Sequence, residues 1–222
     1  MDLDARRRLT LRALGLASVI CRGHIEGAAA DPKAKEMHDL VLRWLLDTGA
    51  WYALDRDEGL IVAGAPGSLS RAQVALALFR SEQLSVVAWA CGVVPLPRHD
   101  HSLFDRHLAS RVSFLRPDAI ERLESKTLVD PDRLRLHARR AAAIEDRLRR
   151  FAVDGEPLDF KEKYGDMRVP LVNGDLAIGE LPLWAVTEAS WQVVLAAAVE
   201  RSSAASWLLE PTGAMMRRPI DA

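Results

Sequence analysis

Apolar residues recur at three- and four-residue steps through most of the chain, the spacing of helices that bury one face. Leu9, Ala13, Leu16, Ala17, Ile20 and Cys21 make the first such stripe, with Arg12 as a polar interruption. Asp31 and Pro32 open a second helix as N-cap and first helical residue; Met37, Leu40, Val41, Trp44 and Leu45 form its apolar face and Gly49 follows its end. "WYALDRDEGLIVAGAPG" predicts a short helix and a turn. Ser70 and Gln73 then suit a capping box for a helix reaching about residue 93, where "PLPRHDH" stops it. Pro117 opens a further helix, Asp130 and Pro131 a longer one to about residue 151, and the last runs over about 187–209. Residues 154–168 lack an apolar period and read as a linker or surface excursion. "VNGDLAIGELPLW" carries two-residue turn signals at Asn173-Gly174 and Gly179-Glu180, which predict one small hairpin near 175–184. The expected architecture is mainly α: a single helical domain over 1–222 with one small β-hairpin and a loose tail at 210–222.

The helix over "ALFRSEQLSVVAWACG" at 77–92 raises a question, because Arg80 and Glu82 stand among residues that are apolar all round. Leu78, Phe79, Val86 and Trp89 share the face of Glu82, while Leu76, Leu84, Val87 and Cys91 share that of Arg80. Successive helical residues turn by about 100°, so the two charges lie about 200° apart around the axis and cannot pair with each other. Each needs a partner from another helix, since an unpaired buried charge costs several kcal/mol. The last helix holds Arg201 inside its stripe of Val193, Val194, Ala197, Ala204, Ala205 and Leu208; the helix from 132 holds His137 inside its own, with Arg135 off it. Glu82, His137 and Arg201 therefore form a candidate polar cluster, with Arg80, Arg135 and Glu200 as further members. As a structural network it would fix helix docking. As a site, Glu82 would act as general base or ligand, His137 as proton carrier and Arg201 as anion clamp.

Composition narrows the function classes. With 30 Lys and Arg against 31 Asp and Glu in 222 residues, the formal charge is -1 and no global field attracts nucleic acid or an acidic membrane. Between 133 and 150 seven arginines face only Glu145 and Asp146, but they fall outside the apolar stripe without interleaved aromatics. A solvated or acid-paired helix face is expected, with no nucleic-acid partner. The arginines at 6–8 before an apolar run imitate a secretory leader; Asp2 and Asp4 make that region acidic, and the stripe argues for an amphipathic helix instead. No apolar run reaches the roughly 18 to 20 residues of a membrane span. Cys21 and Cys91, the two cysteines, sit in helical patterns and suit a reducing cytoplasm.

"FRSEQLSVVAWACGVV" resembles the signature of the bacterial domain of unknown function 4272 family, carried here by Arg80, Glu82, Trp89, Ala90 and Gly92. "DRLRLHARRA" is similar to a second element at Asp132, Arg135 and His137, with Ala138 where the family has tryptophan. "GDLAIGELPLW" and the segment after it resemble a third at Gly174, Asp175, Leu176, Pro182, Leu183, Glu200, Arg201, Ala204, Trp207 and Leu208, with Ala205 in place of leucine. The resemblance runs from about residue 6 to 209 and implies a single helical domain in a bacterial protein. It implies no activity and no cofactor.

His99, Asp100, His101, Asp105 and His107 have metal-binding chemistry but no standard spacing, so His99, His101 and His107 are weak candidates and no metal is expected. There is no Gly-x-Ser-x-Gly elbow, phosphate-binding loop or dinucleotide fingerprint. The expectation is a non-enzymatic cytoplasmic factor that binds another protein, of accessory or immunity type, without a cofactor. The alternative is a small hydrolase-like enzyme using the Glu82, His137 and Arg201 cluster.

Overall fold

Local signals place the helix ends of the computed structural model, which describes residues 3–101 and 107–209. Helix α1 (Leu3–Gly27) is followed by α2 (Pro32–Thr48), where Asp31 accepts the Lys33 amide and Gly49 closes the far end at φ +74°. A 3-10 turn at Ala50–Ala53 leads to α3 (Arg56–Ala63) and then α4 (Arg71–Ala90); both carry complete capping boxes, Asp55 with Glu58 and Ser70 with Gln73. Two short helices follow, α5 (Leu108–Arg111) and α6 (Ala119–Glu124). The chain then forms α7 (Pro131–Asp154), opened by Asp130 and Pro131, and α8 (Phe160–Tyr164). Strands β1 (Leu171–Val172), β2 (Asp175–Ile178) and β3 (Leu181–Pro182) precede a 3-10 turn and the last described helix, α9 (Glu188–Leu209).

Helices α1, α4, α9 and α7 pack against one another in that order, with α2 and α3 laid on α1. This order explains the sequence of α4. A helix enclosed by neighbours on two sides has no solvent face to keep polar, and every residue from Arg80 to Ala90 is buried. Gly23 permits the α1–α4 approach: a Cβ there would lie 3.0 Å from Ala77 Cβ. The main core gathers Leu14, Leu16, Leu45, Ile61 and Leu84 around α1 and α4. A second core, with Ile144, Leu148, Phe160, Leu176 and Leu183, joins α7 and α9 to the sheet. Full burial of each such side chain contributes roughly 1.5–3 kcal/mol.

The fold is mainly α, as the periodicity predicts, and the β2–β3 hairpin lies where the turn signals put it. Its third strand is new: β1 pairs antiparallel with β2, Leu171 opposite Leu176. Residues 154–168 are also more than an excursion, because α8 plants Phe160 in the second core and its amide bonds Gly174 O at 2.9 Å. One phenylalanine without a periodic partner carries too little signal to reveal that anchor. Met37, Leu40 and Val193, read as apolar-face residues, are 40–43% exposed, since only the narrower stripe of each helix meets a neighbour. The expected tail at 210–222 lies outside the described residues.

Candidate functional site

Three systems of buried charges among the described residues bear on the candidate cluster and the sheet; a further pair, the buried Arg22 with Glu26 at 2.7 Å, lies apart from them. The largest is built on the N-terminus of α3, where Glu58 sits at position three of the capping box and is turned inward, fully buried. Its carboxylate receives Arg12 Nη1 and Nη2 at 2.5 and 2.9 Å, and lies 2.8 Å from Arg80 Nε. Arg80 also reaches Glu200 at 2.8 Å and Asp55 at 3.4 Å. Gln83 bridges the rest, donating to Glu200 at 2.6 Å and accepting from Arg12 at 3.2 Å. Four helices, α1, α3, α4 and α9, thus share one ion-pair network. Burial pushes the Glu58 carboxyl up, but the Arg12 and Arg80 guanidiniums outweigh it and hold it below the usual carboxylate range.

The second system joins two members of the candidate cluster, Glu82 and Arg201, and leaves out the third. Arg201 donates from Nε to Glu82 Oε2 at 2.8 Å, with Nη2 2.6 Å from the same oxygen. Its remaining donors bond the Arg98 carbonyl at 2.6 Å and the His101 carbonyl, tying the loop after α4 to α9. Arg80 and Glu82 accordingly serve different partners. Arg147 and Asp175 form the third system: a bidentate pair at 2.6 and 2.7 Å, both about 1% exposed, that docks the sheet on α7.

Arg147 corrects the expectation that every arginine of α7 lies on a solvated face. Its guanidinium carbon lies over the Phe151 ring, 5.3 Å from the centroid, and its charge is neutralised from a strand that periodicity cannot see. Arg135, Arg149 and Arg150 do lie toward the surface and pair with Asp132, Glu145 and Asp146. Arg12 needs the same correction, being 3% exposed rather than a polar interruption. The sequence held one signal for its partner: Asp55-x-x-Glu58 has capping-box form, although the inward turn of Glu58 depends on α1 and α4.

His137 does not join Glu82 and Arg201. It is 9% exposed, stacks edge-on against Trp89 at 4.9 Å, and neither ring nitrogen has a hydrogen-bond partner. Burial, then the Arg140 and Arg201 charges, push its pKa down from 6.5 to about 4. A histidine depressed in the folded state contributes stability above pH 6.5 that is lost as pH falls toward 4, because the unfolded chain takes the proton first. Between pH 7 and 5 this amounts to about 2 kcal/mol at 1.36 kcal/mol per unit. His137→Phe is expected to remove that much of the acid sensitivity, read as urea midpoints of the two proteins at both pH values.

Beside His137 opens a cleft of about 230 Å³ between α7, α9, the loop at 96–99 and the segment at 168–170. Arg98, Arg140, Arg168 and Arg201 supply charge; Ile144, Val169 and Ala198 supply apolar wall, and no carboxylate among the described residues lines it. His99 lies at its edge and donates from Nε2 to Ala177 O at 2.6 Å, which fixes a proton on that nitrogen. His101 and His107 are exposed, and Asp105 lies outside the described residues. Among the described residues no three His, Cys, Asp or Glu side chains are placed to hold a metal ion. No described helix is long and apolar enough to cross a membrane. The chain matches no family model, no curated protein and no solved structure.

Proposed function

We propose that this chain is a non-enzymatic binding protein of the bacterial cytoplasm, of the accessory or immunity type, related to the domain of unknown function 4272 family. The observation that carries the reading is the engagement of Glu82 with Arg201 at 1% side-chain exposure, outside the lining of the cleft. A general base must reach the proton it removes, and the carboxylate of the candidate trio faces protein. His137 does line the cleft, but a base whose pKa lies near 4 and whose ring no second group orients is poorly armed for proton transfer at neutral pH. Both cysteines are free, with burial pushing the Cys21 and Cys91 thiols up to about 11 and 12; this supports a reducing compartment and argues against thiolate chemistry.

The alternative, a small hydrolase-like enzyme, draws on one observation: His137 and Arg201 line the same cleft. Turnover of p-nitrophenyl acetate and p-nitrophenyl phosphate separates the two. Wild type and His137→Phe are expected to give equal background rates; turnover by wild type that the variant lacks would replace the binding reading with the enzymatic one.

A further inference from the structure

We propose that the cleft beside His137 binds a small carboxylate carried on a compact apolar body. Four features of the cleft point to that chemistry. Among the described residues its charge is of one sign, with four arginines and no acid in the lining. Two of these are spent: Arg201 on Glu82, and Arg98 on Asp100 at 2.8 Å. The other two are available, since Arg140 and Arg168 form no ion pair among the described residues, and Arg140 is held in place by its Nε donating to Met167 O at 2.6 Å. The second feature is His137, nine-tenths buried in the wall with both ring nitrogens unbonded. A buried polar group without a partner costs about 1–3 kcal/mol, and a ligand oxygen accepting from an imidazole N–H removes that penalty. Burial and the neighbouring guanidiniums keep the ring neutral at pH 7, so it offers one donor rather than a further charge.

The third feature is the apolar part of the lining, Ile144, Val169, Pro170 and Ala198, which suits a hydrocarbon or aromatic body. The fourth is size. At about 230 Å³ the cleft falls below the roughly 300–1,000 Å³ of sites for drug-sized ligands, so it fits a small metabolite-sized body or a single terminal residue. A singly charged planar carboxylate matches the guanidinium fork and loses less hydration in such a wall than a phosphate dianion would. The same chemistry has two sources, a free organic acid and the C-terminal carboxylate of a peptide.

The proposal rests on the binding reading above, and one titration keeps the two separable. The ¹H–¹⁵N spectrum of the full chain at pH 7 is followed with benzoate, with benzamide as uncharged control, and with acetyl-glycyl-leucine against its C-terminal amide. Benzoate or acetyl-glycyl-leucine is expected to shift the amides around Ala141, Val169 and Ala198 saturably, and to move the His137 ring signals. The two amides should do neither. Whichever acid binds tighter assigns the source as free acid or chain terminus. Arg140→Gln, at a half-exposed position, should keep the wild-type amide pattern and weaken the tighter acid at least tenfold. Absence of saturation by either acid, equal binding of the amides, or undiminished affinity in Arg140→Gln overturns the carboxylate site and leaves the non-enzymatic reading standing. Turnover in the ester assay overturns that reading and leaves the site.

Discussion

Replacing Glu58 by glutamine is expected to destabilise the protein by about 3–5 kcal/mol, the range for breaking a buried pair from one side. Arg80 would keep Glu200 and Asp55, but Arg12 would contact only neutral acceptors: the introduced amide oxygen, Gln83 and the Ala53 carbonyl. A 3% exposed guanidinium is then left without a counter-charge in contact with it. Against a total stability of about 5–15 kcal/mol for a domain this is a large fraction. Urea unfolding measures it, and a cycle with Arg12→Met isolates the pair: the double variant should lose less than the two single losses together, because it removes both charges. A Glu58→Gln protein within about 0.5 kcal/mol of wild type would mean that the network does not hold the four helices. Acid acts in the same direction. The depressed Glu58 carboxyl contributes stability above its unfolded pKa, and that contribution fades as pH falls through the folded value.

The second large effect concerns Gly92. It closes α4 in a Schellman arrangement, with its amide on Trp89 O at 2.8 Å and Val93 N on Ala88 O at 2.9 Å, and its φ is +71°. A Cβ there would meet Thr127 O at 2.2 Å, a backbone atom with no rotamer by which to retreat. The left-handed conformation costs a non-glycine residue about 1–2 kcal/mol, and displacing packed backbone adds about 1–3 more. Gly92→Ala is therefore expected to lose about 2–5 kcal/mol in urea unfolding, whereas Gly155→Ala, also at a positive φ but facing open space, should lose only the conformational part. Equal losses at the two sites would mean that the Thr127 contact contributes nothing.

What the sequence disclosed depended on how much of each answer was local. Caps and stripes are local, so α2, α4 and α7 begin at their capping residues, and the inward turn of Glu82, Arg201 and His137 follows from the wheel. Partners are not local. Glu82 and Arg201 could be grouped, together with His137, because each stood in an apolar stripe, but which of them met which was not visible. Arg12 and Glu58 could not, since Arg12 reads as the polar edge of an amphipathic helix and Glu58 as an acid in a first turn, where acids are common. Arg147 was hidden among six other arginines, and Asp175 on a strand of four residues. The cleft was the least legible feature, because its walls come from α7, α9 and two loops with no common motif.

The network around Arg80 also sets a schedule for synthesis. Arg80 and Glu200 are 120 positions apart, and at roughly 5–20 residues per second a ribosome needs about 6 to 24 seconds to travel from one to the other. Throughout that interval α1, α3 and α4 can dock on each other, but Arg80, Glu82 and Gln83 on their joint surface still lack the Glu200 and Arg201 that α9 supplies. The half-made chain is thus exposed to chaperones and to its neighbours for seconds rather than milliseconds. The network around Arg80 is completed only when α9, the last described helix, brings Glu200 to it.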